Sequence, residues 1–174
     1  MSNTQKQSSG KGSVNNQAGH DLIINYNSLT EEKDFGIIDE IFNSVIANLE
    51  QSDERQDQEQ IETEEKIKLN FQNENDQELV REYFRMALKK VVLIQNRIQL
   101  EDSEIQNDLH SHVLGKYRVF KNSGLDNISI MEALFEDFIL PGKRDNPQYT
   151  HIAKAFVLFF FEDCTIFEKT LPKK

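Results

Sequence analysis

Apolar positions along this chain fall into short bursts separated by long polar stretches, and the spacing inside each burst differs from one to the next. Residues 1–19 form a Ser/Gly/Gln/Asn tail with too little apolar area to offset the entropy of ordering it. Leu22, Ile23, Ile24 and Tyr26 then crowd together in a run too short for a helix and rich in strand formers. They predict a strand-forming arm that must pair with something, because a lone strand is not stable in water. Beyond it, Ile38, Ile41, Phe42, Val45 and Leu49 recur at i, i+3, i+4, i+7 and i+11, the spacing of an amphipathic helix with one apolar stripe. Thr30 is placed to cap that helix, with Glu31, Glu32 and Asp34 in its first turn.

After a polar interval the period changes to two. In KIKLNF, Ile67, Leu69 and Phe71 alternate with Lys66, Lys68 and Asn70, which predicts a short strand with one buried face. A helix capped by Asp76 follows, with Val80, Tyr83, Phe84, Ala87, Leu88, Val91, Ile94 and Ile98 toward one side. Ser103 with Gln106 reads as a capping box for the next helix, ended at Asn122-Ser123-Gly124, and Ser129 with Glu132 caps another, stopped by Pro141-Gly142. Asn146-Pro147 opens the last, expected to run to Phe167. Its centre, AFVLFFF, is apolar on every side, so this helix should be surrounded by the others. The expected fold is mainly α: an N-terminal strand-forming arm and amphipathic helix, an acidic linker, and a C-terminal four-helix bundle with a short strand before it.

Charge sharpens that division. Residues 50–65 carry eight acidic side chains against Arg55, whereas residues 66–174 carry sixteen basic and sixteen acidic ones. The acidic stretch repels itself and reads as an extended linker, so the expected organisation is a polar tail (1–19), an interaction segment (20–49), a linker (50–65) and a helical domain (66–174). With a net charge of -10 and no net-basic domain, nucleic acid is not the expected partner, since that affinity rests on Lys and Arg displacing counterions. A single cysteine excludes an intramolecular disulfide. The longest apolar run is Ala155–Phe161, far short of the roughly 20 residues of a membrane span, and a cytoplasmic protein is expected.

Candidate chemistry is sparse. The chain has no Gly-rich phosphate loop, no HExxH, no GxSxG and no calcium loop. His110 and His112 are two apart on a predicted helix and point about 200° apart, so they cannot share an ion. Cys164 lies beside Glu162 and Asp163 with no histidine near it in sequence, and reads as a small buried filler. Glu162-Asp163 and Glu136-Asp137 read as polar helix ends, and Asp126, Asp145, Lys143 and Arg144 as loop charges. Arg81, Arg85 and Lys89 make a basic stripe at i, i+4 and i+8. Glu78 and Glu82 are placed to pair with it; otherwise it is a docking face. No catalytic, cofactor or metal residues are assigned. The expected partner-binding residues are Leu22, Ile23, Ile24, Tyr26, Ile38, Ile41, Phe42, Val45, Leu49, Arg81, Arg85 and Lys89.

The order KIKLNF, EYFRMALKKVVLIQNRI, two shorter helices and AKAFVLFFFEDCTIFEK resembles the C-terminal domains of proteins from bacterial ABC-three-component conflict systems. VNNQAGHDLIINYN is similar to Asn/Gly-rich strand motifs that precede adaptor or effector modules in bacterial defence proteins. No enzymatic domain precedes the helical part, so no toxin or nuclease activity carries over. The resemblance implies a non-enzymatic adaptor or assembly subunit in antiviral defence. It would act by protein–protein contacts as a homo-oligomer with other subunits, an ABC-type ATPase among them. The alternative is a small toxin or hydrolase built from dispersed loop carboxylates and basic residues.

Overall fold

The computed structural model describes residues 31–49 and 61–169, and all their regular structure is helical. The tail and the arm with Leu22, Ile23, Ile24 and Tyr26, the Thr30 cap and most of the acidic linker lie outside the described residues. Helix α1 covers residues 31–46. It is followed by α2 (Thr63–Asn70), α3 (Glu74–Ile98), α4 (Ser103–Asn122), α5 (Asn127–Asp137) and α6 (Pro147–Glu162).

The predicted strand at KIKLNF is instead α2. Ile67 and Phe71 fit both readings, because a separation of four keeps two residues on one side of a strand and of a helix alike. The deciding positions are Lys66 and Asn70, buried beside them where a strand would have turned them outward. The end of the acidic stretch supplies Glu64 and Glu65 to the first turn of α2, where carboxylates favour the helix dipole. The linker therefore ends in a helix.

Three caps lie upstream of their expected positions. Asn73, Asp102 and Asp126 each accept a hydrogen bond from the backbone N–H three residues on, at Asp76, Ile105 and Ser129. Asp126 is thus a helix cap; its carboxyl is held below the usual range by the Ser129 amide. Asn146 with Pro147 opens α6 as the sequence indicates. Gly124 and Gly142, which end the segments before them, have positive φ (81° and 79°), a conformation that side chains disfavour.

α6 is the central element. Between Ile152 and Phe161 only Lys154 escapes full burial, and α3 and α5 pack directly on it, with α4 on α5 and α2 on α3. Phe71, Phe161 and Phe167 stack at centroid distances of 5.3–6.2 Å where α2 meets the end of α6.

α1 is part of this core. Ile38, Ile41, Phe42 and Val45 are buried, and Leu49 packs half-buried against them. The sequence reading holds this helix apart and gives its stripe to a partner; the structure covers the stripe with the chain's own bundle. Ion pairs set its position: Asp34 with Lys90 (3.3 Å), Asp39 with Arg97 (2.6 Å) and Glu40 with Lys143 (2.8 Å). The Arg97 guanidinium lies 4.3 Å from the centre of the Phe42 ring. A linker of like charges resists collapse on itself, but it does not hold back a helix whose apolar face has a matching surface within reach.

Candidate functional site

The C-terminus of α6 gathers four buried polar side chains, Lys66, Asn70, His110 and Thr165. Rather than running on to Phe167, the helix stops at Glu162 and turns back through Cys164 at φ 62°. The Thr165 N–H bonds the Phe160 carbonyl (3.0 Å) and the Cys164 N–H bonds that of Phe161 (3.2 Å), the paired closure usually built on glycine. A non-glycine residue there costs about 1–2 kcal/mol, so something else must hold the turn.

Two sets of side chains hold it. On one side Asn70 of α2 accepts from the Glu168 N–H (2.9 Å) and donates to the Glu168 carbonyl (3.0 Å). Buried Lys66, one turn earlier, donates to the Phe161 carbonyl at 2.6 Å, with its ammonium 4.6 Å from the Phe161 ring centre and beside the Cys164 thiol. Burial pushes the Lys66 pKa down to about 8.

On the other side His110 of α4 places Nδ1 at 2.6 Å from Thr165 Oγ1 and 3.1 Å from Asp163 Oδ2. Thr165 in turn donates to Asp163 Oδ2 at 3.1 Å. With the hydroxyl proton directed to the carboxylate, the threonine oxygen accepts from His110 Nδ1–H. Burial lowers the His110 pKa and raises that of Asp163, each opposed by the charge of the other. The residue types evoke a Ser-His-Asp hydrolase, but the proton order is wrong. A nucleophilic hydroxyl must donate to the imidazole, and here it donates to the acid. His110, Cys164 and Thr165 are also buried, with no face left for a substrate. The cluster can fasten the tail; it is not arranged for acyl transfer. Cys164 is indeed a buried filler, whereas Asp163 is more than a polar helix end.

The remaining sequence-selected groups disperse. His112 lines a groove beside Ser44 of α1 and Asn48 just after it, away from His110. Asp137 pairs with Lys116 (2.6 Å) and Glu136 with Arg144. In the basic stripe, Arg81 bonds Glu64 (2.7 Å) and Glu78 (3.4 Å), and Arg85 bonds Glu78. Lys89 is exposed. Among the described residues no group of three His, Cys, Asp or Glu side chains is placed to hold a metal ion, and no helix is long and apolar enough to cross a membrane.

Outside this sealed cluster lies a groove of about 710 Å³ between the start of α2, the middle of α3 and the end of α6. Leu88, Val91, Val92 and Phe159 give it an apolar floor and Glu62, Glu65 and Glu162 an acidic rim, which Asp163 touches from its place in the buried cluster. Leu88 and Val92 stay 61% and 47% exposed, although the helical pattern of α3 grouped Leu88 with the core. Sequence offered one sign of this groove, the excess of carboxylates in residues 50–65, and none of the floor. Comparison with protein-family models, with curated proteins and with solved structures finds no match for this chain.

Proposed function

We propose that this protein is a non-enzymatic adaptor that binds a cationic, amphipathic segment of another protein in the groove between α2, α3 and α6. The observation that carries this is the pairing of large exposed aliphatic side chains, Leu88 and Val92, with a rim of three carboxylates, Glu62, Glu65 and Glu162. Apolar side chains left in water next to one sign of charge suit a ligand helix with an apolar stripe flanked by Lys or Arg. Complementary rim charges raise the association rate and select against acidic competitors.

The resemblance of Lys66–Lys169 to the C-terminal domains of ABC-three-component proteins supplies a setting for this role. The partner is then another subunit of a bacterial defence complex, an ABC-type ATPase among the candidates, with the adaptor in the cytoplasm. The hydrolase reading finds its best support in the His110–Thr165–Asp163 cluster, whose burial and proton order argue against it.

Calorimetry with two synthetic helical peptides sharing one apolar face, one bearing Lys and one bearing Glu beside it, tests the reading on the full chain. Expected is binding of the Lys peptide alone, weakened about tenfold or more by Glu65→Lys with Glu162→Lys, and likewise by Val92→Glu. Equal binding of both peptides, or indifference to all three substitutions, removes the groove as the site.

A further inference from the structure

The acidic groove and the sealed cluster share a wall. Asp163 touches the groove from its place in the cluster: its side chain is 18% exposed, and its Oδ2 lies 3.1 Å from both His110 Nδ1 and Thr165 Oγ1. Phe159 is common to both as well, forming part of the groove floor while its ring centre lies 6.3 Å from that of His110. One carboxylate therefore stands between the groove and an imidazole.

Other charges surround the pair. Lys66 of α2 and Lys169 of the C-terminal tail bring positive charge toward Asp163, and Lys169 also toward His110. Glu162 adjoins Asp163 at the end of α6, and buried Asp108 sits two residues before His110 on α4, about 200° around that helix. Burial disfavours charge on both partners, holding His110 below and Asp163 above its usual pKa, so the two titrate as a unit. Whichever atom carries the added proton, it cancels the negative charge that Asp163 presents to the groove.

We propose that a proton on the His110–Asp163 pair and a cationic ligand in the acidic groove exclude one another, so that acidification releases the ligand. The inference rests on the proposed function, since it takes a Lys-bearing segment as the ligand, and adds to it a means of regulation. A ligand ammonium near Asp163 stabilises the ionised carboxylate and opposes positive charge on His110 behind it. By linkage the effect is reciprocal: the bound ligand lowers the pair's affinity for a proton, and the proton lowers affinity for the ligand by the same factor. Full affinity is present above the titration of the free pair and is lost as the pH falls through it. Because burial holds His110 below its usual 6.5, that loss comes below about pH 6.5.

Imidazole resonances of the full chain, followed from pH 8 to 5 with and without a saturating, histidine-free helical peptide bearing Lys, test this. The His110 ring should titrate about half a pH unit or more lower with the peptide bound, while the ring of exposed His151 is unmoved. Calorimetry should show the affinity weakening about threefold or more between pH 7.5 and 5.5. His110→Asn, whose amide N–H stands in for Nδ1–H without titrating, should remove that decline, and the rim carboxylates shared by both proteins cancel in the comparison. The imidazole titration needs no substitution, so it decides the question whether or not the variant folds. A peptide that binds at pH 7.5 without moving the His110 titration, or whose affinity falls identically in the folded variant, overturns the coupling and leaves the groove as the docking site. A peptide that fails to bind at pH 7.5 overturns both.

Discussion

Lys66→Met isolates the energetic cost of the buried ammonium at the end of α6. Lys66 is fully buried, and its pKa falls from 10.5 to about 8 because burial disfavours the charged form. At about 1.4 kcal/mol per pKa unit, the native state is less stable by roughly 3 kcal/mol wherever both states keep Lys66 charged, that is, below about pH 8. Between about pH 8 and 10.5 the native state has lost the proton and the unfolded chain still holds it, so this contribution to stability rises with pH. Above 10.5 both are neutral and the penalty is gone. Methionine matches the length of lysine without the charge, and the Phe161 carbonyl keeps its bond from the Cys164 N–H at 3.2 Å. Urea denaturation of both proteins from pH 7 to 11 gives the difference between them, in which the tyrosines and other shared groups cancel. The methionine variant should lose roughly 3 kcal/mol relative to the native sequence across that range, having been at its most favourable near neutrality. A difference that is flat with pH would show that Lys66 is hydrated in the native state and refute the reasoning.

Phe42→Asp should lower the stability of the whole chain by several kcal/mol, because it buries an unpaired carboxylate in the core; a variant that melts as before by circular dichroism contradicts the integration of α1. Asn70→Ala should cost about 1–3 kcal/mol in urea denaturation by freeing the Glu168 backbone, with faster hydrogen exchange across residues 164–168. Gly124→Ala should cost about 1 kcal/mol in the same assay through its φ of 81° alone, since no other atom lies within 4 Å of an added Cβ. The double variant His110→Ala with Thr165→Val should be destabilised without losing any hydrolytic activity, measurable against ester and peptide substrates, if the cluster only fastens the tail.

Helices with strong signals were legible in the sequence and those with ambiguous ones were not. α6 could be placed in the centre because AFVLFFF leaves it no polar side, and Asn146-Pro147 marks its start. Its end was not legible, since the reversal uses Cys164 in a conformation that ordinarily signals glycine. α2 was misread because its stripe of Lys66, Ile67, Asn70 and Phe71 includes a lysine and an asparagine that no hydropathy pattern counts as buried. Both are held by carbonyls from far along the chain, at Phe161 and Glu168. The same long-range pairing hid the cluster: His110, Asp163 and Thr165 come from two elements some fifty residues apart. Ile38, Ile41, Phe42 and Val45 were correctly read as a face needing cover, but a stripe does not state whose surface covers it. The acidic groove was illegible for the converse reason, because Leu88 and Val92 sit where periodicity alone cannot separate core from rim.

Site-specific photo-crosslinking from Leu88 in the native host tests the adaptor role most directly. With a photoreactive side chain at Leu88, the expected result is one discrete adduct whose crosslinked peptide is cationic and amphipathic, lost when Glu65→Lys and Glu162→Lys are introduced together. A crosslinked peptide that is acidic, an adduct unaffected by the reversed rim, or no protein adduct at all would contradict the assignment of this groove as the docking site.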